Sequence, residues 1–533
     1  MGSSLANLTR ISGGKLIGGS HEHAEKLRVD SVGINAQSVG KLGLFAAVPG
    51  TRAHGAQFAA KSAGPAILTD PEGQKILQES GEIRPIIVVD DVRAVLGEVA
   101  ADVYGHPSEK LTVIGVTGTS GKTTVAHLIE QSLLSAGYKV GMIGTNGTRI
   151  NGQAVETELT TPEAPVLQEL YRQMNDEGVT HVVMEVSSHA LVLGRVNGTR
   201  FAVGGFTNLS QDHLDFHHTM EEYFEAKAAF FRPGSPVRAA RQVICVDGDW
   251  GKKMAVVAGP SADTLSVEGA PATITVTDIA DGDDGHKNFT VHLAGCKYPV
   301  SISMPGQFNI TNAALALSLA VAAGVDGATA AAGMKDAVVP GRMQSIDVGQ
   351  NFTAVVDYAH KPAALAAVLD TLNQQRTGRT AVVVGAGGNR DTGKRPLMGK
   401  NACQRADLVI VTDDNPRDED PAAIRAQIIA GITEITKEKQ AAAKKQKGKK
   451  TKITRVAEYR EIGDRAQAIQ AAVDWADEGD AIVVAGKGHE TGQKIGGEIH
   501  PFDDREVLER CIRRRLSAAA SDTPDGVDGP VAG

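Results

Sequence analysis

The segment Gly115-Val-Thr-Gly-Thr-Ser-Gly-Lys-Thr-Thr124 constrains this chain most. It stands between the apolar run Leu111–Val116 and an amphipathic pattern from Lys122 to Ser135, so it is expected to turn a strand into a helix. Glycines let backbone N–H groups face phosphate oxygens, and the helix N-terminus adds positive potential. Gly118, Thr119, Ser120, Gly121, Lys122, Thr123 and Thr124 are therefore the candidate nucleotide ligands, with Lys122 reaching the β- and γ-phosphates and the Thr123 hydroxyl reaching Mg²⁺. Strict phosphate-loop spacing asks for glycine at 116; the chain has Val116, with glycines at 115, 118 and 121. By itself the loop says ATP or GTP, and leaves open a switch or transport NTPase as well as an enzyme.

Length and charge narrow the classes. At about 150 residues per domain, 533 residues suggest three or four domains. Lys and Arg number 55 against 63 Asp and Glu, a net charge of −8, so no domain-wide basic excess exists to neutralise nucleic-acid phosphates. The four cysteines, Cys245, Cys296, Cys403 and Cys511, form no CxxC pair, which argues against a zinc ribbon or a redox dithiol. The longest apolar stretch, 313–325, is too short for a bilayer, and no cationic patch with an apolar stretch opens the chain; a soluble cytoplasmic protein is expected.

Along the chain, the first 25 or so residues are polar and Gly/Ser-rich and are expected to be loose. Short β-like runs at LGLFAAVPG, AILTD and PIIVVD follow, then a polar linker at 104–110. Strand-like runs recur at 111–116, 181–186 and 242–246, with an antiparallel annex expected over 255–288 and a buried helix over 309–324. Beyond a break at Pro340-Gly341, runs at 353–359, 380–387, 407–414 and 480–488 make a further α/β unit. Continuously apolar strands imply parallel sheets covered on both faces. The lysine-rich stretch 437–452 reads as a solvated insertion, and the tail after Ser517 as a disordered end.

Further strings fix the class. Thr160-Thr-Pro-Glu163, Met184-Glu-Val-Ser-Ser-His-Ala190, Phe206-Thr-Asn-Leu-Ser-Gln-Asp-His-Leu-Asp215, Gly306-Gln-Phe-Asn-Ile-Thr-Asn312, Val339-Pro-Gly-Arg-Met-Gln344 and Val356-Asp-Tyr-Ala-His-Lys-Pro362 follow the loop in order. Their order and spacing resemble the Mur ligases, ATP-dependent amino-acid-adding enzymes of peptidoglycan precursor synthesis, over about residues 30 to 515. The resemblance implies an α/β fold of three domains: 1–108, a small UDP-sugar-binding domain; 109–340, a central phosphate-loop ATPase with a parallel sheet; and 341–517, a Rossmann-like amino-acid-binding domain, with 518–533 as the tail. It also implies a monomer, ATP and Mg²⁺ as cofactors, and no nucleic acid or membrane partner.

The family reaction implies the site. A D-Glu γ-carboxylate of UDP-MurNAc-L-Ala-D-Glu attacks the ATP γ-phosphate, and an amine then displaces phosphate from the acyl phosphate. A carboxylate must approach a triphosphate, so cations must cancel the repulsion. The resemblance assigns Glu185 and His213, with Thr123, to Mg²⁺, and Lys122, Lys227, Glu185, His213 and Arg342 to catalysis. Lys227 would be carbamylated to N6-carboxylysine; the residues alone read it as an exposed helix position. Asn309 would meet the adenine, Arg342 the γ-phosphate, and Asp357 and His360 the ribose and base region. Thr160, Thr161, Ser187 and Arg195 would hold the muramoyl peptide and its phosphates. Ser38 survives as a diphosphate contact, although the family's Arg is missing after it, and His54 replaces the usual Asp before Gly55. Position 361 is Lys where the family string has Thr.

Specificity rests on Asp414-Asn-Pro-Arg417, the string associated with meso-diaminopimelate addition. Arg417 would grip the distal carboxylate with two parallel hydrogen bonds, supported by Asn415 and Asp414. Arg390 would hold a carboxylate, and Gly486 and Glu490 the ammonium end. Asn389 stands where the family has Asp. The alternatives are an L-lysine-adding ligase, a folate polyglutamate-type ligase, and a phosphate-loop NTPase that forms no amide.

Overall fold

The computed structural model describes residues 2–50, 52–283, 285–445 and 457–521. The chain divides into two compact units. The first holds the residues up to Leu209, Thr219–Ser303 and Asn309–Ala337; the second holds Ser210–His218, Met304–Phe308 and the chain from Val338 on.

The first unit contains two main sheets. One has five strands, in the order Lys15–Ile17, Ile86–Val88, Ala66–Thr69, Gly43–Ala46 and Ser31–Gly33, parallel except for the first. The opening residues are not loose as expected. Helices span Leu5–Ile11 and His21–Lys26, because the early serines act as caps: Ser4 accepts from Asn7 N and Ser20 from His23 N, while Leu5 and Leu8 are fully buried. Polar composition here marks helix starts rather than disorder.

The other sheet has eleven strands. Its centre runs Val140–Gly144, His181–Glu185, Thr112–Thr117, Phe201–Phe206, Arg241–Cys245, Asp263–Ser266 and Ile274–Asp281, all parallel, with two antiparallel strands added at each edge. The annex expected over 255–288 begins later than that: Asp249–Ala258 is a helix, and the antiparallel strands extend to Ile302. Thr112–Thr117 lies between His181–Glu185 and Phe201–Phe206, with Val116 opposite Glu185 and Thr117 opposite Phe206. That register brings three carboxyl ends together, which is where open α/β sheets place ligands.

In the second unit six strands run in the order Gln344–Ser345, Thr353–Asp357, Ala481–Ala485, Thr380–Val384, Leu408–Val411 and Glu458–Glu461, parallel except for the first. The helix Pro421–Lys445 takes in the start of the lysine-rich stretch, whose remainder lies outside the described residues, as does the tail beyond Ser521. Under the carboxyl edge, Arg465 and Asp504 have fully buried side chains and share two hydrogen bonds of 2.7 Å; Arg465 also donates to the Ala485 carbonyl at 3.0 Å. Asp504→Asn is expected to cost about 3 kcal/mol or more, because it strands a buried guanidinium. A denaturation midpoint equal to that of the unaltered chain would refute this.

Candidate active site

The phosphate loop is shaped by what it presses against. Gly118 and Gly121 have φ of +144° and +88°, and a Cβ on either would collide with Thr207 Oγ1 or Asn312 Oδ1, so only glycine fits. Thr119 N donates to the Asn208 carbonyl at 2.8 Å and Ser120 N to Asn208 Oδ1 at 3.0 Å. Thr207 Oγ1 donates to the Ser120 carbonyl at 2.7 Å. Val116 in place of the usual glycine is harmless: it lies in the buried strand before the loop turns. Lys122 Nζ folds over the loop, donating to the Gly118 and Thr119 carbonyls at 3.0 and 3.1 Å. Thr124 is buried in the first turn of the following helix.

Thr123 and Glu185 are brought together. Thr123 Oγ1 donates to Glu185 Oε1 at 2.9 Å, and that oxygen also accepts from Thr145 N at 2.8 Å. A hydroxyl and a carboxylate are hard oxygen donors, the chemistry Mg²⁺ takes, so the pair fits that ion. His213 belongs to the second unit, at φ +54°, with Nε2 3.0 Å from Asp212 Oδ2. Among the described residues no group of three or more His, Cys, Asp or Glu is arranged around a metal position.

Lys227 is buried, at 1% exposure, and not the exposed helix residue that its local sequence suggests. The helix Met220–Ala228 turns it inward: Nζ donates to the Gly118 carbonyl at 3.0 Å and lies 4.7 Å from the centre of the Tyr223 ring. Tyr223 in turn has its hydroxyl 3.1 Å from Thr119 Oγ1. Periodicity could not reveal this, because the partner lies 109 residues away.

Thr161, Ser187 and Arg195 also converge. Thr161 Oγ1 donates to the Glu185 carbonyl at 2.8 Å and accepts from Ser187 N at 3.2 Å; Ser187 caps the helix Ser188–Val192. Arg195 Nε is 2.9 Å from Glu163 Oε1, whose other oxygen pairs with Arg93 at 3.2 Å. Thr160 Oγ1 is 3.5 Å from Thr145 Oγ1. Asn309 accepts from Asn312 Nδ2 at 3.2 Å beside the loop. Ser38 is exposed on the turn Ala36–Ser38 and bonds the Asn35 carbonyl; no hydrogen bond among the described residues joins it to the other candidates. His54 bonds Asp70 and caps the turn Gly55–Lys61, a folding role for the unusual residue.

The second unit gathers the remaining candidates at its carboxyl edge. Asp357 accepts from Met343 N at 2.7 Å and Ala359 N at 2.8 Å; burial nevertheless raises its carboxyl above the ordinary range, against the pull of Arg342. The Arg342 guanidinium stacks 4.2 Å over the Tyr358 ring. Burial, then the charges of Lys361 and Lys394, push His360 well below the usual imidazole range.

The Asp414-Asn-Pro-Arg417 loop meets Arg390 and Glu490 here. Arg417, at φ +53°, is held by backbone bonds to Lys494 and Gly496, and its Nη1 donates to the Gly388 carbonyl at 2.5 Å. Burial and then the neighbouring Arg390 lower its pKa, against the pull of Asp414 and Glu490. Asn415 Nδ2 donates to Glu490 Oε2 at 2.8 Å. Gly486 has φ +123°, and a Cβ there would strike Asp414. Two buried supports went unnoticed in the sequence: Lys487, which bonds Asn415, Glu490 and the Gly492 carbonyl, and Arg395, whose fork holds Glu419 at 2.8 and 2.9 Å. Glu419 also accepts from Asn389 N, so it ties the two arginine loops together. Both supports lie inside strings that carry site residues, which was the available signal.

A phosphate loop with a Thr123–Glu185 pair on a parallel sheet marks an ATP-using α/β ligase of the phosphate-loop kind, and comparison with known proteins agrees. Residues 116–320 match the Mur ligase middle domain, and 341–488 match the Mur ligase, glutamate ligase domain. The UDP-N-acetylmuramoyl-L-alanyl-D-glutamate--2,6-diaminopimelate ligase of Corynebacterium efficiens is 53% identical over 522 residues, 97% of this chain and 96% of that one. The Streptomyces coelicolor protein of the same name is 43% identical, over 88% and 90%. A solved structure of a ligase so named superposes with a TM-score of 0.66 at 30% identity, covering 97% of this chain and 100% of that one. Mycobacterium tuberculosis folylpolyglutamate synthase shares the fold, with a TM-score of 0.58 at 18% identity, over 78% and 93%. The chain belongs to the Mur ligase family. No helix among the described residues is long and apolar enough to cross a membrane.

Proposed function

We propose that this chain is an ATP-dependent amide ligase that adds meso-2,6-diaminopimelate to the D-Glu γ-carboxylate of UDP-MurNAc-L-Ala-D-Glu, working as a monomer in the cytoplasm on peptidoglycan precursors. In this reading residues 1–108 bind the uridine nucleotide, 109–340 ATP and 341–517 the amino acid. The observation that carries it is the pocket in which Arg390 and Arg417 face Asp414, Asn415 and Glu490, found in a chain so similar to ligases named for diaminopimelate.

The residues divide the work by charge. Lys122 and the loop N–H groups receive the phosphates. Thr123 and Glu185 would hold Mg²⁺, which when bound would offset the negative charge crowding at the γ-phosphate. Arg195, fixed by Glu163, presents its guanidinium to the substrate. The substrate carboxylate oxygen then bonds the γ-phosphorus and ADP leaves. In the second unit Arg417 and Arg390 bind carboxylates and Glu490 an ammonium, so the amino acid is held at both ends before its free amine attacks. L-Lysine lacks the distal carboxylate and would leave the half-buried Arg417 fork without that partner, a penalty that favours diaminopimelate.

The test supplies purified chain with ATP, Mg²⁺ and UDP-dipeptide, with and without the amino acid. Phosphate release should depend on diaminopimelate, and the product mass should rise by one diaminopimelate residue. Release without any acceptor, and no new amide, would favour a bare NTPase. Carbamylation of Lys227 predicts a second outcome. Activity should fall in carbon dioxide-depleted buffer and return with bicarbonate, and ¹³C-bicarbonate should give a carbamate signal that Lys227→Arg lacks. A signal of equal strength in that variant would remove the assignment.

A further inference from the structure

One cation ties together the loop that carries Asn415, the turn that carries Glu490 and the hairpin of Gly492–Ile495 with Glu498–Pro501. Lys487 follows the strand Ala481–Ala485, between Gly486 and Gly488, whose φ values are +123° and +56°. A Cβ on Gly486 would meet Asp414 Oδ2 at 2.4 Å, and one on Gly488 would meet Tyr358 Cβ at 2.7 Å, so the turn around Lys487 has one shape. Lys487 itself is completely buried. Its Nζ lies 3.1 Å from Asn415 Oδ1, 3.2 Å from Glu490 Oε2 and 2.6 Å from the Gly492 carbonyl. An ammonium has three hydrogens, and three acceptors take them. Asn415 Oδ1 also accepts from Lys494 N at 2.9 Å, and Gln493 Nε2 donates to the Asp414 carbonyl at 2.7 Å, so the hairpin and the Asp414–Arg417 loop are bonded on both sides of this lysine.

Glu490 shows what the arrangement does. Its Oε2 accepts from Lys487 and, at 2.8 Å, from Asn415 Nδ2. Among the described residues nothing donates to Oε1. The Glu490 side chain is about one-third exposed, at 32%, and a glutamate in water turns freely about its bonds. Two bonds on one oxygen fix the carboxylate and leave the other oxygen open.

We propose that Lys487 is the positioning residue that lets this pocket read the second ammonium of its amino acid: it fixes Glu490 so that Oε1 meets the ammonium that does not react. The inference rests on the ligase reading, which places that ammonium at Glu490. Lys487 is not itself a ligand, because its hydrogens are all taken and it is shut off from solvent. A neutral donor could not replace it. Arg390 and Arg417 offer competing positive charge in the same pocket, and a cation bonded to Oε2 keeps Glu490 from turning to them.

Two amino acids that each lack one group separate this role from general support of the pocket. Racemic 2-aminopimelate has both carboxylates and one amine; L-lysine has both amines and one carboxylate. Steady-state kcat/KM is measured for each and for meso-diaminopimelate, with ATP and UDP-dipeptide saturating. Lys487→Met should lower the preference for diaminopimelate over 2-aminopimelate about tenfold or more, while the preference over L-lysine, which the arginines set, stays within threefold. Should this variant fail to fold, Lys487→Gln, which still offers two N–H donors but no charge, is read the same way. A fall of both preferences together would make Lys487 a plain structural support, and a fall of neither would leave it without a role; either overturns the proposal. Glu490→Gln in the same assay tells this failure from that of the ligase reading. If it abolishes the preference over 2-aminopimelate while the Lys487 variant keeps it, the role of Lys487 alone falls. If Glu490→Gln keeps the preference, the ammonium is not read at Glu490, and the placement of the amino acid falls with it.

Discussion

Arg417→Lys is expected to lower kcat/KM for meso-diaminopimelate by about 30- to 100-fold while leaving KM for ATP unchanged, a loss of about 2–3 kcal/mol. The geometry explains the size. The Arg417 backbone is pinned on both sides, by Lys494 and Gly496, so the loop cannot shift to bring a shorter cation forward. Its Nη1 is already spent on the Gly388 carbonyl, and only a guanidinium has enough donors to keep that bond and still grip a carboxylate. A lysine keeps the charge but loses the fork. Steady-state kinetics with each substrate varied in turn would decide it; a diaminopimelate KM and kcat like those of the unaltered chain would show that the distal carboxylate is read elsewhere.

Lys122→Met is expected to have the opposite signature: a fall of about 10²- to 10³-fold in kcat with either amino acid, and little change in diaminopimelate binding. Lys122 Nζ sits over the loop at 3.0 Å from the Gly118 carbonyl, the same oxygen that Lys227 reaches. Its hydrogen bonds are to the carbonyls of the buried Gly118 and Thr119, so the variant's denaturation midpoint is measured alongside its turnover. Phosphate release at saturating ATP, with diaminopimelate binding by calorimetry as the control, would check it. Turnover within threefold of the unaltered chain would mean that Lys122 is not the phosphate cation.

The contrast between these two residues shows where local sequence is informative. The loop at 115–124 was legible because its glycines answer to short-range sterics and its flanks to a strand and a helix period. The strands at 353–357, 380–384, 408–411 and 481–485 were legible for the same reason: unbroken apolar runs need cover on both faces. The Asp414-to-Arg417 string was legible as chemistry through family resemblance.

Other features were decided by parts of the chain that meet only after folding. The opening serines looked like loose sequence and are helix caps over buried leucines. Lys227 looked solvated and is buried against a loop more than a hundred residues earlier. Lys487 and Arg395 carry no periodic signal, since one charged residue among others reads the same whether it is solvated or buried. Helix and strand patterns, turn glycines and the phosphate loop follow from torsional limits and hydrophobic spacing within a dozen residues, so the string of residues sets them. Burial of a charge, and the partner that makes it tolerable, depend on segments that share no local signal, and only the packed chain chooses them.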